Sequence, residues 1–131
     1  MAGLLLAAAR RAGNEYLAQM LIQQNVEVLN QYKPKTILTG CPHCFNTLKN
    51  EYPDFGASYP VVHYTQYLLE LHQQGRLKPN NSNMGALAYH DSCYLGRWNG
   101  IVEAPRELLR SINQGGEVVL PKRQGDKGFC C

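Results

Sequence analysis

Cys41-Pro42-His43-Cys44 sets two thiols one helical turn apart, just after the apolar run Thr36-Ile37-Leu38 and the turn residue Gly40. Three chemistries use such a pair. A dithiol oxidoreductase uses it as the reacting couple, with a helix N-terminus stabilising the Cys41 thiolate and His43 adding positive charge. A structural zinc site takes two of its four ligands from it. An iron–sulfur site holds its irons through such thiolates. The local sequence permits all three. The other cysteines have to separate them: Cys93 stands alone, and a long gap then leads to the adjacent pair Cys130-Cys131.

A dithiol enzyme leaves Cys93, Cys130 and Cys131 without a role. In a thioredoxin-like chain the motif also comes early, with a cis-proline loop far downstream. Here a long helical stretch precedes it, and Tyr59-Pro60 follows too soon. Zinc suits Cys41 and Cys44, but adjacent side chains diverge and make a poor chelate for one tetrahedral ion. A second CxxC or an HxxxH knuckle is missing as well. Adjacent cysteines make better sense where each binds a different iron of a multinuclear cluster.

The elements that must carry these residues alternate. A helical pattern runs from Gly3 to about Tyr32, with Leu17, Met20, Leu21 and Val28 roughly on one face. Lys33-Pro34 ends it, since proline disfavours helix at the residue before it. Thr36–Leu38 reads as a short buried strand. A helix opens at Pro42, where a missing N–H costs nothing, and runs to about Glu51. Pro60–His63 is the next strand. Thr65 is the expected N-cap of a helix through Gln74. Lys78–Gly85 is linker-like, Ala86–Tyr89 a strand and Asp91–Gly100 a loop. Pro105 opens a further helix, Glu117–Leu120 is the last strand, and Pro121–Cys131 reads as a polar tail. Alternation of this kind predicts an α/β fold with a mostly parallel sheet. It places all five cysteines in loops after strands, where open α/β sheets gather their functional groups.

Bulk properties exclude several classes. The chain has 131 residues, enough for one compact domain or two small half-domains. A net charge of +3, with no Lys/Arg block, gives no case for nucleic acid. Met1–Arg11 lacks a positive leader and reads as helix rather than as a secretory signal. No apolar run reaches the roughly 18 residues of a membrane span. An odd count of five cysteines argues against a secreted disulfide scaffold and for a reducing, cytoplasmic setting.

The cysteine order resembles the cysteine-rich "CCG" domain of heterodisulfide reductases and related bacterial iron–sulfur oxidoreductases. That repeat reads Cys, long gap, Cys-Cys, gap, CxxC. ARRAGNEYLAQMLIQQNVEVLNQY resembles the helix after the middle motif of a first repeat, and TGCPHCFNTLKNEYPDFG resembles its closing CxxC. YHDSCYLGRWNGIVEAPRELL resembles the opening of a second repeat, with Ser92 where proline is common, and FCC resembles its pair. The resemblance implies residues 1–80 as the later part of repeat one and 81–131 as the earlier part of repeat two. The expected chain is therefore a piece of a larger oxidoreductase polypeptide, and a truncated product without activity is the rival expectation. The implied cofactor is an iron–sulfur cluster of [4Fe-4S] type, cubane or non-cubane, with Cys41, Cys44, Cys93, Cys130 and Cys131 as ligands. The implied activity is electron transfer with a redox partner: a flavoprotein, a ferredoxin-like protein or a quinone-linked membrane protein. Any membrane association would come through such partners or through further domains.

Other residues carry weaker signals. His90 and Asp91 either shape the cysteine loop, as the resemblance suggests, or form an ordinary turn in which Asp91 caps N–H groups. His63 reads as a half-buried histidine with a hydrogen bond, and His72 as an unexceptional helix residue. Arg97, Lys122, Arg123 and Lys127 flank the cysteines. They either stabilise an anionic cluster or form a solvated polar face.

Overall fold

The computed structural model describes residues 8–80 and 83–130. Packing divides the chain into two units, one ending at His63 and the other beginning at Tyr64.

In the first unit, helix α1 spans Glu15–Tyr32. The single long helix expected from Gly3 is interrupted, because Gly13 takes φ +81° and Asn14 caps α1 by accepting the Leu17 N–H at 3.1 Å. Lys33 closes α1 in the left-handed region, its N–H donating to Leu29 O at 2.8 Å, and Pro34 prevents continuation. The buried face is also a correction. Ala18, Ile22 and Val26, at i, i+4 and i+8, are buried, while Leu17, Met20 and Val28 are exposed. Apolar residues lie on most sides of α1, so periodicity alone did not choose the face. Ile22 and Val26 pack with Tyr52 and Ala57, and Leu21, Leu29, Leu48, Phe55 and Tyr59 close around them.

Strand β1 (Ile37–Thr39) and strand β2 (Val61–His63) pair in parallel, Ile37 opposite Val61 and Thr39 opposite His63. Between them run helix α2 (Pro42–Asn50) and a 3-10 turn at Tyr52–Phe55. Leu38, expected inside, is exposed, because alternate side chains of a two-stranded ribbon point away from the covered face.

The second unit repeats the plan. Helix α3 (Tyr64–Gln73) follows β2 without a break. Thr65, the expected cap, lies inside the helix and is buried. Strands β3 (Leu87–Ala88) and β4 (Val118–Val119) pair in parallel, joined through helices α4 (Cys93–Asn99) and α5 (Glu103–Ile112). Helix α3 packs on α5, so the packing boundary and the repeat boundary expected after residue 80 divide the chain differently. The fold is α/β and every strand pair among the described residues is parallel, but the strands hydrogen-bond as two separate ribbons.

Asn113 fixes the ends of the second ribbon. Its Oδ1 accepts the Met84 N–H and its Nδ2 donates to Gly85 O, both at 2.9 Å. The chain turns tightly there: a Cβ on Gly116 would stand 2.4 Å from the Asn113 amide and from Gly85 O. Gly116→Ala is therefore expected to cost about 1–3 kcal/mol through overpacking. A urea midpoint unchanged from that of the parent chain would refute this.

Candidate metal centre

Each unit carries cysteines of its own. In the first unit Cys41 is the N-cap of α2, in extended conformation, with Pro42 at the first helical position. The Cys41 N–H donates to Thr39 Oγ1 at 3.3 Å, and Cys41 O accepts the Phe45 N–H at 2.9 Å to close the first turn. Cys44 lies on that turn, so the two thiols share one helix face and hydrogen-bond to each other. Burial, then that bond to Cys41 and the charge there, pushes the Cys44 thiol up to about 11. This favours the protonated thiol at neutral pH, and binding a metal cation would displace that proton.

Beside this pair His63 is buried rather than half-buried. Its ring meets the Phe45 ring edge-on at 6.1 Å. Burial lowers its pKa, against a hydrogen bond to the Gly40 backbone that raises it. His63 is a neutral core residue, in keeping with its expected hydrogen bond.

In the second unit Cys93 is not in a loop, as expected, but is the first residue of α4, where Ser92 is the N-cap and Gly100 ends the helix at φ +67°. Cys44 likewise lies within a helix. The expected tail turns back on α4 through a 3-10 turn at Gly125–Lys127. This return sets Cys93 Sγ and Cys130 Sγ 3.8 Å apart. Cys93 is buried and Cys130 exposed. Two thiolates on one tetrahedral ion, with metal–sulfur bonds of about 2.3 Å, stand about 3.8 Å apart. The pair thus fits a thiolate-bound metal by donor type and by separation. Cys131 lies outside the described residues. Among the described residues no group of three or more His, Cys, Asp or Glu side chains gathers as a ready-made metal site.

His90 and Asp91, expected from the resemblance to shape this loop, do bond to the return segment, while the part played by Arg106 was not legible in advance. Asp91, 2% exposed, holds the guanidinium of Arg106, 8% exposed, with Nε to Oδ1 at 3.0 Å and Nη2 to Oδ2 at 2.5 Å. Asp91 Oδ2 also accepts the Gly125 N–H at 2.6 Å. Burial alone would raise the Asp91 pKa; the bonds from Arg106 and Gly125 outweigh it, and the net shift is downward. Asp91 thus fastens the return segment by capping the Gly125 N–H. His90 Nε2 donates to Phe129 O at 3.1 Å, one residue before Cys130. Arg123 lies over the Phe129 ring at 4.3 Å, while Lys122 and Lys127 are exposed. No local pattern marks Arg106 as a partner of Asp91, because the pairing depends on how α5 packs.

At the carboxyl ends of β3 and β4, Ala88, Tyr89, His90, Val119 and Pro121 line an open, mostly apolar hollow of about 240 Å³. No helix among the described residues is long and apolar enough to cross a membrane.

Comparison with known proteins agrees with this chemistry. The family model for the cysteine-rich domain, CCG, matches residues 7–49, which include Cys41 and Cys44. The chain is 47% identical over 124 residues to an EtfAB:quinone oxidoreductase of Syntrophomonas wolfei, covering 95% of this chain and 17% of that protein. It is 43% identical over 122 residues to the probable iron-sulfur-binding oxidoreductase FadF of Bacillus subtilis, covering 93% of this chain and 17% of that protein. It is 35% identical over 118 residues to one component of the dihydromethanophenazine:CoB–CoM heterodisulfide reductase of Methanosarcina barkeri, covering 88% of this chain and 29% of that protein. The chain thus spans less than a third of each of these relatives. No solved structure matches it.

Proposed function

We propose, for a chain that belongs to the cysteine-rich CCG-domain family, that it is the cluster-binding part of an iron–sulfur electron-transfer oxidoreductase. The observation that carries this reading is the Cys93–Cys130 thiol pair at 3.8 Å, built by a return of the chain over α4. Cys93 and Cys130, with the neighbouring Cys131, would form one set of ligands. Cys41 and Cys44 at the N-terminus of α2 would form another. A cluster bound there supplies one-electron transfer. The chain's own residues supply deprotonated thiols and hold them in place. Cys44 must lose its proton on binding, and Asp91 and Arg106 keep the return segment seated.

The partner in this reading is a redox protein: a flavoprotein, a ferredoxin-like protein or a quinone-linked membrane protein. Support comes from the relative named EtfAB:quinone oxidoreductase and from the heterodisulfide reductase component. Cys41, Cys44, Cys93 and Cys130, none of them in a disulfide, favour a reducing, cytoplasmic location, with membrane contact through partners or further domains.

The test is iron, zinc and acid-labile sulfide per chain, on protein prepared without oxygen and then offered iron and sulfide. Iron and sulfide are expected in similar amounts, with a brown chromophore that Cys93→Ser loses. Zinc without labile sulfide would replace the reading with a structural metal site. Metal-free reduction of a model disulfide, abolished by Cys41→Ser, would replace it with a dithiol enzyme. Five free thiols and no metal would end it for this chain.

A further inference from the structure

Cys130 lies beyond the last regular turn, Gly125–Lys127, and is exposed, yet it stands against the buried Cys93. Its own segment does not explain that placement. Arg97, one turn after Cys93 on α4, does. Its Nε donates to Asp126 O at 3.0 Å and its Nη2 donates to Gly128 O. A planar guanidinium has donors in a fixed fork, so it holds two carbonyls in one relative orientation. Neither acceptor is a carboxylate, so the contact neutralises no charge, and what it fixes is the path of the backbone.

Two features beside it have the same effect. Gly96 lets the return segment close on α4: a Cβ there would stand 3.3 Å from Gly125 O. Asp91 takes the Gly125 N–H at 2.6 Å. The segment is therefore gripped by an anion at an N–H and by a cation at two carbonyls, just ahead of Cys130.

We propose that Arg97 is a positioning residue that sets the Cys130 thiol at Cys93 by fastening the carbonyls of Asp126 and Gly128. The proposal rests on the reading of these thiols as metal ligands. It assigns Arg97 neither of the roles its charge suggests, a solvated surface cation or a counter-ion to a cluster.

The experiment uses the 131-residue chain with Cys41, Cys44 and Cys131 replaced by serine, so that one thiol pair remains. It is equilibrated with reduced and oxidised glutathione. Closing the Cys93–Cys130 disulfide converts one glutathione disulfide into two glutathiones, and the equilibrium gives the effective concentration of one thiol at the other. Arg97→Ala is expected to lower that concentration about tenfold or more, the equivalent of one charge-assisted hydrogen bond. Arg97→Lys should fall in the same direction, because an ammonium lacks the fork. The urea midpoint of the reduced chain should fall by less than the equivalent of that tenfold change, since Arg97 is exposed and bonds only to the return segment.

An unchanged effective concentration in Arg97→Ala overturns the proposal. So does a fall matched by an equivalent loss of stability, because Arg97 would then only hold the fold. Iron uptake is measured separately with all five cysteines present. If the parent chain takes up no iron, the functional reading fails, while the glutathione result still decides whether Arg97 places the thiol. If the parent and Arg97→Ala take up iron equally well, the positioning role is overturned.

Discussion

Asp91→Ala is expected to destabilise the second unit by about 3 kcal/mol or more, within the range for breaking a buried ion pair from one side. The Arg106 side chain is 9% exposed, so its charge is largely withdrawn from water. Its remaining acceptor is Glu103, at 3.2 Å but largely exposed, which offsets part of the loss. Gly125 loses the acceptor of its N–H at the same time. The directions of the pKa shifts agree: the hydrogen bond that Arg106 donates to Asp91 is the largest influence on Arg106 and raises it, and the net shift of Asp91 is downward despite burial. A second substitution separates pairing from packing. With Arg106→Met added, most of the loss should return, because an apolar side chain carries no stranded charge. The Gly125 N–H would remain unsatisfied, so recovery should stop about 1–3 kcal/mol short. Urea unfolding of both variants measures this. A loss under about 1 kcal/mol for Asp91→Ala would show that the guanidinium is solvated and that the pair is not structural.

What the sequence disclosed, and what it concealed, follows the range of each interaction. Pro42 at the start of α2 and Gly40 before it are local signals, and they place Cys41 and Cys44 correctly at a helix N-terminus. The parallel pairing of β1 with β2 and of β3 with β4 follows from helices lying between short apolar runs. The segment Asp91–Gly100 reads as a loop because its polar and glycine residues are poor helix formers. It contains helix α4 because Ser92 and Gly100 bound a single short stretch whose Cys93, Leu95 and Gly96 are buried. The tail after Pro121 looks featureless for a related reason. Its order comes from Asp91, Arg97 and His90, far away in the chain, and no periodicity reports that. Cysteine order therefore announces the kind of chemistry, and sequence neighbourhood points to His90, Asp91 and Arg97, while their partners and the role of Arg106 appear only in the folded chain.

Phe45→Ala, in the other unit, is expected to cost about 3–5 kcal/mol, the range for emptying a buried aromatic site. Phe45 is 1% exposed and follows Cys44 directly. Its ring packs edge-on against His63 of β2, and Lys49 Nζ lies 5.2 Å from its centroid. This ring therefore locks the first turn of α2, which carries both cysteines, onto the strand beside it. Two consequences follow from the cavity. Cys44, whose thiol is held protonated chiefly by burial, becomes more reactive toward a thiol reagent as water enters. His63, whose pKa burial depresses, rises toward the ordinary imidazole value, because the desolvation that disfavoured its charged form is relieved. Urea unfolding, thiol-labelling rates and a histidine titration read the three effects independently. Phe45→Leu, which keeps much of the volume, should show each of them in weaker form. A stable Phe45→Ala chain with unchanged labelling would mean that β1 and Pro42 alone position the cysteines, and that the contact with His63 is incidental to them.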